Sequence, residues 1–162
     1  MNPQIVIILI GQIGSGKTSY AKHYYSHFTR LNGDVLKTSK KVVSELKKAL
    51  DRGENVIVDA TNFTLERRRD IISECRVMPN QNPQAQNSFR RLPVKIYGVL
   101  FKVGIDECME RAKRREAKGF NDDGQPILHI PSIAFYKLNK SYVEPSLSEG
   151  FDYIGVFDPK VF

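Results

Sequence analysis

An α/β fold, with a parallel sheet layered between helices, is predicted by three observations on this 162-residue chain. Residues 4–10, Gln4 followed by an unbroken apolar and mostly β-branched run, have the pattern of a strand covered on both faces. A glycine-rich bend and a helical stripe follow directly, which begins a strand–helix unit. Further apolar runs and helical stripes alternate to the end of the chain, so the strands are joined by right-handed crossovers and lie parallel.

Residues 17–30 are predicted as the first helix, because Ala21, Tyr24, Tyr25 and Phe28 recur at helical spacing. Ser39 is placed to cap a second helix whose stripe is Val42, Val43, Leu46, Ala49 and Leu50, and Gly53 is placed to end it. Residues 55–59 read as the second strand. Thr64 caps a third helix that turns Leu65, Ile71, Ile72 and Cys75 inward and ends near Pro79. The stretch PNQNPQAQNS, residues 79–88, is polar and turn-rich and reads as a mobile surface loop. Residues 93–101 are the third strand, 105–118 a fourth helix, GFNDDGQP a loop, and 131–143 a fifth helix opened by Pro131. FDYIGVF closes the sheet as its last strand.

The length suits one domain, residues 1–162, able to bury a core without metals or disulfides. No apolar run approaches a bilayer span, and MNPQIVIILI lacks the charged n-region and cleavage site of a secretory signal. A soluble protein of the cytoplasm, or of a host's cytoplasm if phage-encoded, is expected, with no membrane association and no obligate protein partner evident. Cys75 and Cys108 fall at core-facing helical positions and read as reduced, buried thiols. The net charge of +7 is uneven: residues 61–120 hold 13 Lys and Arg against 7 Asp and Glu, residues 121–162 only 3 against 6. A basic middle attracts phosphate-bearing partners, nucleic acid included, although a solvated helix surface has the same composition.

The bend carries the chemistry. Gly11-Gln12-Ile13-Gly14-Ser15-Gly16-Lys17-Thr18 matches G-x-x-x-x-G-K-[ST] with an extra glycine at position 14. Glycines here let the backbone N–H groups turn inward and, with the positive end of the following helix, surround a phosphate. Lys17 then reaches the β- and γ-phosphates of ATP, and the Thr18 hydroxyl coordinates Mg²⁺. With Gly11, Gly14, Ser15 and Gly16 these form the expected nucleotide cradle. No N-K-x-D stretch, which a guanine-reading switch protein needs, is present, so transfer to a second substrate is favoured.

Such transfer requires a base, a carboxylate near the metal and cations over the moving phosphoryl group. LNGDVLK contains the first carboxylate of the chain, Asp34, on what reads as a loop at the carboxyl edge of the sheet; it is a candidate base or a turn residue. Asp59 ends the strand NVIVDA at the same edge and is a candidate for the Mg²⁺ shell or a cap. In the fourth helix Ile105, Cys108, Met109 and Ala112 mark one face, while Arg111, Arg114, Arg115 and Lys118 mark another about 240° away. That ridge is either solvated or a lid whose arginine forks close over phosphate. The fold expected in full is an α/β P-loop NTPase, a nucleoside-phosphate-kinase-like three-layer sandwich with a parallel sheet and a helical arginine lid.

Four stretches in this order, the glycine loop, LNGDVLK, VIVDATNFTLERR and CMERAKRREAKG, resemble the P-loop kinase domain of bacteriophage and PNKP-type polynucleotide 5′-hydroxyl kinases. The tail IPSIAFYKLNKSYVEPSLSEGFDYI is similar to that family's proline-started helix and EGFD-bearing stretch, so the resemblance spans nearly the whole chain. It implies that Lys17 and Thr18 bind ATP and Mg²⁺, that Asp34 is the general base, and that Arg115, with Arg111 beside it, serves the transferred phosphate. It also implies that Lys37 meets the acceptor's phosphate and that Asp59, Thr61 and Asn62 line the acceptor pocket; independently of it, the basic residues Lys37, Arg67, Arg68 and Arg69 are available to the acceptor strand's phosphates. Gly33 stands where a larger polar residue is usual, Lys37 replaces an arginine fork, and Ala112 replaces an asparagine. No phosphatase segment accompanies these motifs, so removal of 3′-phosphate is not expected.

The leading expectation is an ATP- and Mg²⁺-dependent kinase acting on a hydroxyl of DNA or RNA, most simply a 5′-end. Three others stay open on the sequence: a phage DNA-modification kinase acting on the hydroxymethyl group of a modified pyrimidine, a small-molecule or nucleoside kinase, and a non-catalytic, ATP-gated nucleic-acid-binding module.

Overall fold

The computed structural model describes residues 2–78, 91–121 and 123–159. β1 (Gln4–Gly11) occupies the middle of a five-stranded sheet, and its position explains its composition. Val6, Ile8 and Ile10 point into one core, and Ile7 and Leu9 into another on the opposite face, so every residue of the run is covered. The remaining strands are β2 (Thr29–Asn32), β3 (Val56–Asp59), β4 (Val94–Phe101) and β5 (Tyr153–Phe157), in the spatial order β2-β3-β1-β4-β5. All four pairings are parallel, with Asn32 beside Asp59, Gly11 beside Phe101 and Phe101 beside Phe157. The register therefore aligns the carboxyl ends of β2, β3, β1 and β4 into one edge, where ligands of open α/β sheets bind.

Helices α1 (Lys17–Tyr24), α2 (Gly33–Leu36), α3 (Ser39–Asp51), α4 (Leu65–Cys75), α5 (Ile105–Lys118) and α6 (Ser132–Ser141) connect the strands. α3 and α4 cover one face through Val42, Leu46, Leu50, Ile71 and Ile72; α1 covers the other through Ala21. Thr64 caps α4 as expected, its Oγ1 accepting from the Arg67 N–H at 3.3 Å. Thr38 rather than Ser39 caps α3, one residue earlier than expected, by accepting from the Lys41 N–H. Gly53, at φ 78°, follows the end of α3 in the left-handed conformation that glycine adopts freely. α5 keeps its expected limits, and Pro131 precedes Ser132 as the N-cap of α6. Both cysteines are free and buried. Residues 79–88, expected as a loop, lie outside the described residues.

The expected helix over 17–30 is corrected. α1 stops at Tyr24; the Tyr25 and Phe28 N–H groups close a turn, and Thr29 enters the sheet by bonding to Asn55 O. β2 escapes a periodicity search because it is an edge strand of four residues with one buried apolar side chain, Leu31. Phe28 still packs into the core with Ala21, but from the turn. No helix among the described residues is long and apolar enough to cross a membrane.

Candidate active site

The glycine loop leaves β1 and turns into α1 at Gly16, which sits in the left-handed region at φ 100°. No side chain caps α1 and no carboxylate lies in its first turn, so its leading N–H groups and dipole remain available to an anion. Gly14, at φ 77°, is required twice over, because a Cβ there would stand 2.5 Å from the Cys108 carbonyl oxygen of α5. A Cβ on Gly11 would meet Ser15 Oγ at 2.7 Å and Phe101 Cβ at 2.9 Å. The loop is thus clasped between β4 and α5.

Lys17 is buried within this loop, its Nζ donating to Gln12 O at 2.7 Å and Ser15 Oγ at 3.4 Å. Burial pulls its pKa down to about 8, against the raising effect of the Asp59 and Asp34 carboxylates. Arg115 adds a lowering effect, so the charges of Asp34, Asp59 and Arg115 all converge on one ammonium.

At the foot of the loop Thr18 Oγ1 donates to Asp59 Oδ2 at 2.8 Å. Asp59 ends β3, is buried, and has its pKa pushed up by that burial; Thr18, Lys17 and Arg30 oppose the shift. Arg30 Nε lies 3.6 Å from the same oxygen. A hydroxyl and a buried carboxylate converging beside a phosphate cradle fit Mg²⁺, which uses one or two protein oxygens and fills its remaining positions with phosphate and water. No group of three or more His, Cys, Asp or Glu occurs among the described residues, so the fit is to this phosphate-dependent mode rather than to an all-protein cage.

Asp34 lies not on a loop but in α2, a single turn whose N-cap Asn32 accepts from the Asp34 N–H at 2.9 Å. Its side chain is exposed at the carboxyl edge. Gly33 is explained by packing: a Cβ there would stand 2.7 Å from Ala60 Cβ, so the larger residue usual in the resembled family has no room. Lys37 ends α2 at φ 66° and, with Gly33, Thr38, Asn62 and Arg67, lines a cavity of about 30 Å³.

The DATN stretch is stitched to β1. Gly11 N–H donates to Thr61 O at 3.1 Å, and Asn62, at φ 48° and buried, donates its amide to Leu9 O at 2.7 Å and Ala60 O at 3.3 Å. Its Nδ2 is thereby committed to the main chain, which makes Asn62 a support for the pocket it borders. Arg68 departs from its expected place on the strand-binding surface. It is 0% exposed, forks onto Glu149 at 2.7 and 3.2 Å, and donates to Asn62 O and Phe63 O. Arg67, one position earlier, faces the cavity instead.

On α5, Arg111 bonds to Glu107 and reaches Ser15 O at 3.5 Å, which lays its guanidinium beside the loop. Arg115, one turn on, is exposed and borders a cavity of about 310 Å³ with Ile13, Met109, Leu128, Ser132 and Phe135. Three residues here had no signal in the sequence. Gln12, at a free position of the motif, is buried and donates to Phe135 O at 3.0 Å and Asn139 Oδ1 at 2.7 Å, fastening α6 to the loop. Arg30 sits on the unrecognised strand, and Asp123 receives both Arg30 and Lys22, at 3.1 and 3.0 Å.

Among curated proteins, the chain is 28% identical over 151 residues to a protein of Acanthamoeba polyphaga mimivirus, and the match covers 92% of this chain and 32% of that one. It is 26% identical over 157 residues to a protein of Schizosaccharomyces pombe, covering 91% of this chain and 32% of that one. Both are named bifunctional polynucleotide phosphatase/kinase, and this chain spans about a third of their length. A crystal structure of a fungal RNA kinase shares the fold at a TM-score of 0.63 and 18% identity, over 94% of this chain and 74% of that one. The profile of the AAA domain family matches residues 6–128, and the chain belongs to that family.

Proposed function

We propose that the protein is an ATP- and Mg²⁺-dependent kinase that transfers the γ-phosphate to a hydroxyl of nucleic acid, most simply the 5′-hydroxyl end of DNA or RNA. The observation that carries this reading is the glycine loop with Lys17 buried in it and Thr18 bonded at its foot to the buried carboxylate of Asp59, while Arg111 reaches the loop from α5 and the charges of Asp34 and Arg115 act on Lys17. Those are the base, metal holder and charge stabiliser that phosphoryl transfer asks for. The names of the two curated relatives support nucleic acid as acceptor.

In this mechanism Asp34 accepts the proton of the attacking hydroxyl as its oxygen bonds to the γ-phosphorus and the bridging bond to the β-phosphate breaks, releasing ADP. Lys17, Arg111 and Arg115 hold the phosphate oxygens as their charge spreads. Thr18 and Asp59 would hold Mg²⁺, which would supply neutralisation of the phosphate charge. Asp59, Thr61 and Asn62 shape the floor of the acceptor side, and Lys37 pairs with acceptor phosphate.

The test is transfer of radiolabel from γ-labelled ATP to 5′-hydroxyl DNA, 5′-hydroxyl RNA, hydroxymethyluracil-containing DNA and free nucleosides, followed by digestion to locate the label. Label at the 5′-terminal nucleotide is expected. Label at internal nucleotides, on nucleosides alone, or nowhere would overturn the reading.

A further inference from the structure

The outward face of α6 serves no part of the mechanism above. Ile133, Tyr136, Lys137 and Lys140 follow the i, i+3, i+4, i+7 spacing that puts them on one face of the helix. All four are exposed, Ile133 at 60% and Tyr136 at 49%, so an aliphatic side chain and an aromatic ring lie side by side on the open face. The helix contains no Asp or Glu, and no described residue forms an ion pair with Lys137 or Lys140. Along the face run an aromatic ring and an aliphatic side chain that offer flat apolar surface, and two ammonium groups that lack a counter-charge. A different face of the same helix is bound to the glycine loop: Ser132 and Phe135 border the 310 Å³ cavity that Arg115 also borders, and Gln12 bonds to Phe135 O and Asn139.

We infer that this face of α6 is a docking track for the single-stranded polynucleotide acceptor beyond its reacting nucleotide, with Tyr136 stacking on a base and Lys137 and Lys140 pairing with phosphates. The inference rests on the nucleic-acid reading of the active site. Ring stacking and phosphate pairing are the two means by which proteins hold single strands regardless of sequence. The ten-residue helix is about 15 Å long, enough for its two lysines each to meet a phosphate of one strand. On this reading a dinucleotide is held at the active site alone and only a longer acceptor reaches α6, so the face raises affinity for long acceptors and leaves short ones untouched.

The experiment compares a 5′-hydroxyl dinucleotide with 12-residue 5′-hydroxyl DNA and RNA, in the wild type, in Tyr136→Ala, and in Lys137→Glu/Lys140→Glu. The charge-preserving Lys137→Arg/Lys140→Arg serves as control. Expected are a KM for the 12-mers lower than for the dinucleotide by about tenfold in the wild type, loss of that advantage in the first two variants, and its retention in the arginine control. The kcat and the KM for the dinucleotide stay unchanged throughout. Direct binding of fluorescein-labelled dT12, read by anisotropy with salt varied, should show a smaller salt dependence in the glutamate variant by at least about 1.4 in the log–log slope. Equal KM for short and long acceptors in the wild type, or unaltered dT12 binding in both face variants, overturns the docking track. Failure to phosphorylate any acceptor would instead count against the kinase reading, and the dT12 arm would still decide the track.

Discussion

At the scale of single residues, two groups carry most of the chemical argument. Asp34 is the exposed carboxylate of the site, and Asn at that position keeps the shape and the Asn32 cap but cannot take a proton. Asp34→Asn should lower kcat by at least about a hundredfold while ATP affinity, measured by calorimetry, stays within a few-fold. Lys17 is the buried cation, and its pKa of about 8 has a consequence for stability. Between pH 8 and the unfolded value near 10.5 the unfolded chain holds a proton that the native one has released, so stability attributable to Lys17 rises with pH across that window. Below pH 8 the charged, buried ammonium costs about 3 kcal/mol. Lys17→Met should therefore be the more stable protein in denaturant melts at pH 7.5, with its advantage over the wild type fading by pH 10.5. An advantage that does not change with pH would contradict this assignment. The same variant should no longer bind ATP, because the ion that burial disfavours is the one the polyphosphate needs.

At the scale of elements, the DATN and EGFD stretches, far apart in sequence, prove to be two halves of one joint. Arg68 of α4 spans from the carbonyls that end the DATNF segment to Glu149, whose carboxylate also accepts from the Ser146 N–H to cap a single 3-10 turn at Leu147–Glu149. This is a buried ion pair with side chains 0% and 8% exposed. Removal of one partner strands the other charge, so Arg68→Met should cost about 3–5 kcal/mol in a urea melt. If the variant still folds in the cold, its KM for a 5′-hydroxyl oligonucleotide should move little more than its kcat, because the guanidinium acts through the loop it holds. A large, isolated rise in KM would restore Arg68 to the strand-binding surface. The sequence carried a signal for this: Arg68 falls three residues after Leu65 and three and four before Ile71 and Ile72, on the stripe that turns inward, whereas Arg67 and Arg69 do not; what it could not reveal is the distant partner, Glu149.

At the scale of the whole molecule, what was legible depended on how strongly each element's own residues carry an apolar or β-rich pattern. β1, covered on both faces, wrote its burial as an unbroken apolar run, and the glycine loop wrote its conformation as three glycines, two of them at positive φ. Edge strand β2, four residues with one buried apolar side chain, left no comparable trace, so the first helix was carried to Arg30, into its start, and Asp34 was placed on a loop instead of in α2, whereas the equally peripheral β5 was legible in YIGVF. Gln12, Arg30 and Asp123 were illegible for another reason: each acts across the fold, on partners 127, 29 and 101 residues away or at comparable separations. Together these contacts tie α1, β2, β3 and α6 to the edge that carries the glycine loop, so a ligand bound there should tighten the whole. At about a hundred times its Kd, ATP with Mg²⁺ should add about 2.7 kcal/mol, a rise in Tm of about 5–10 °C for a chain of this length. Chelating the metal, or Thr18→Val, should remove most of that rise; an unchanged rise would dissociate Thr18 from the metal. The Gln12 bond has one last effect. A side chain inside the phosphate grip is hydrogen-bonded to a distant helix, so the two form a single rigid jaw, and any chimera that grafts a foreign sixth helix must bring an acceptor equivalent to Asn139 or leave the grip slack.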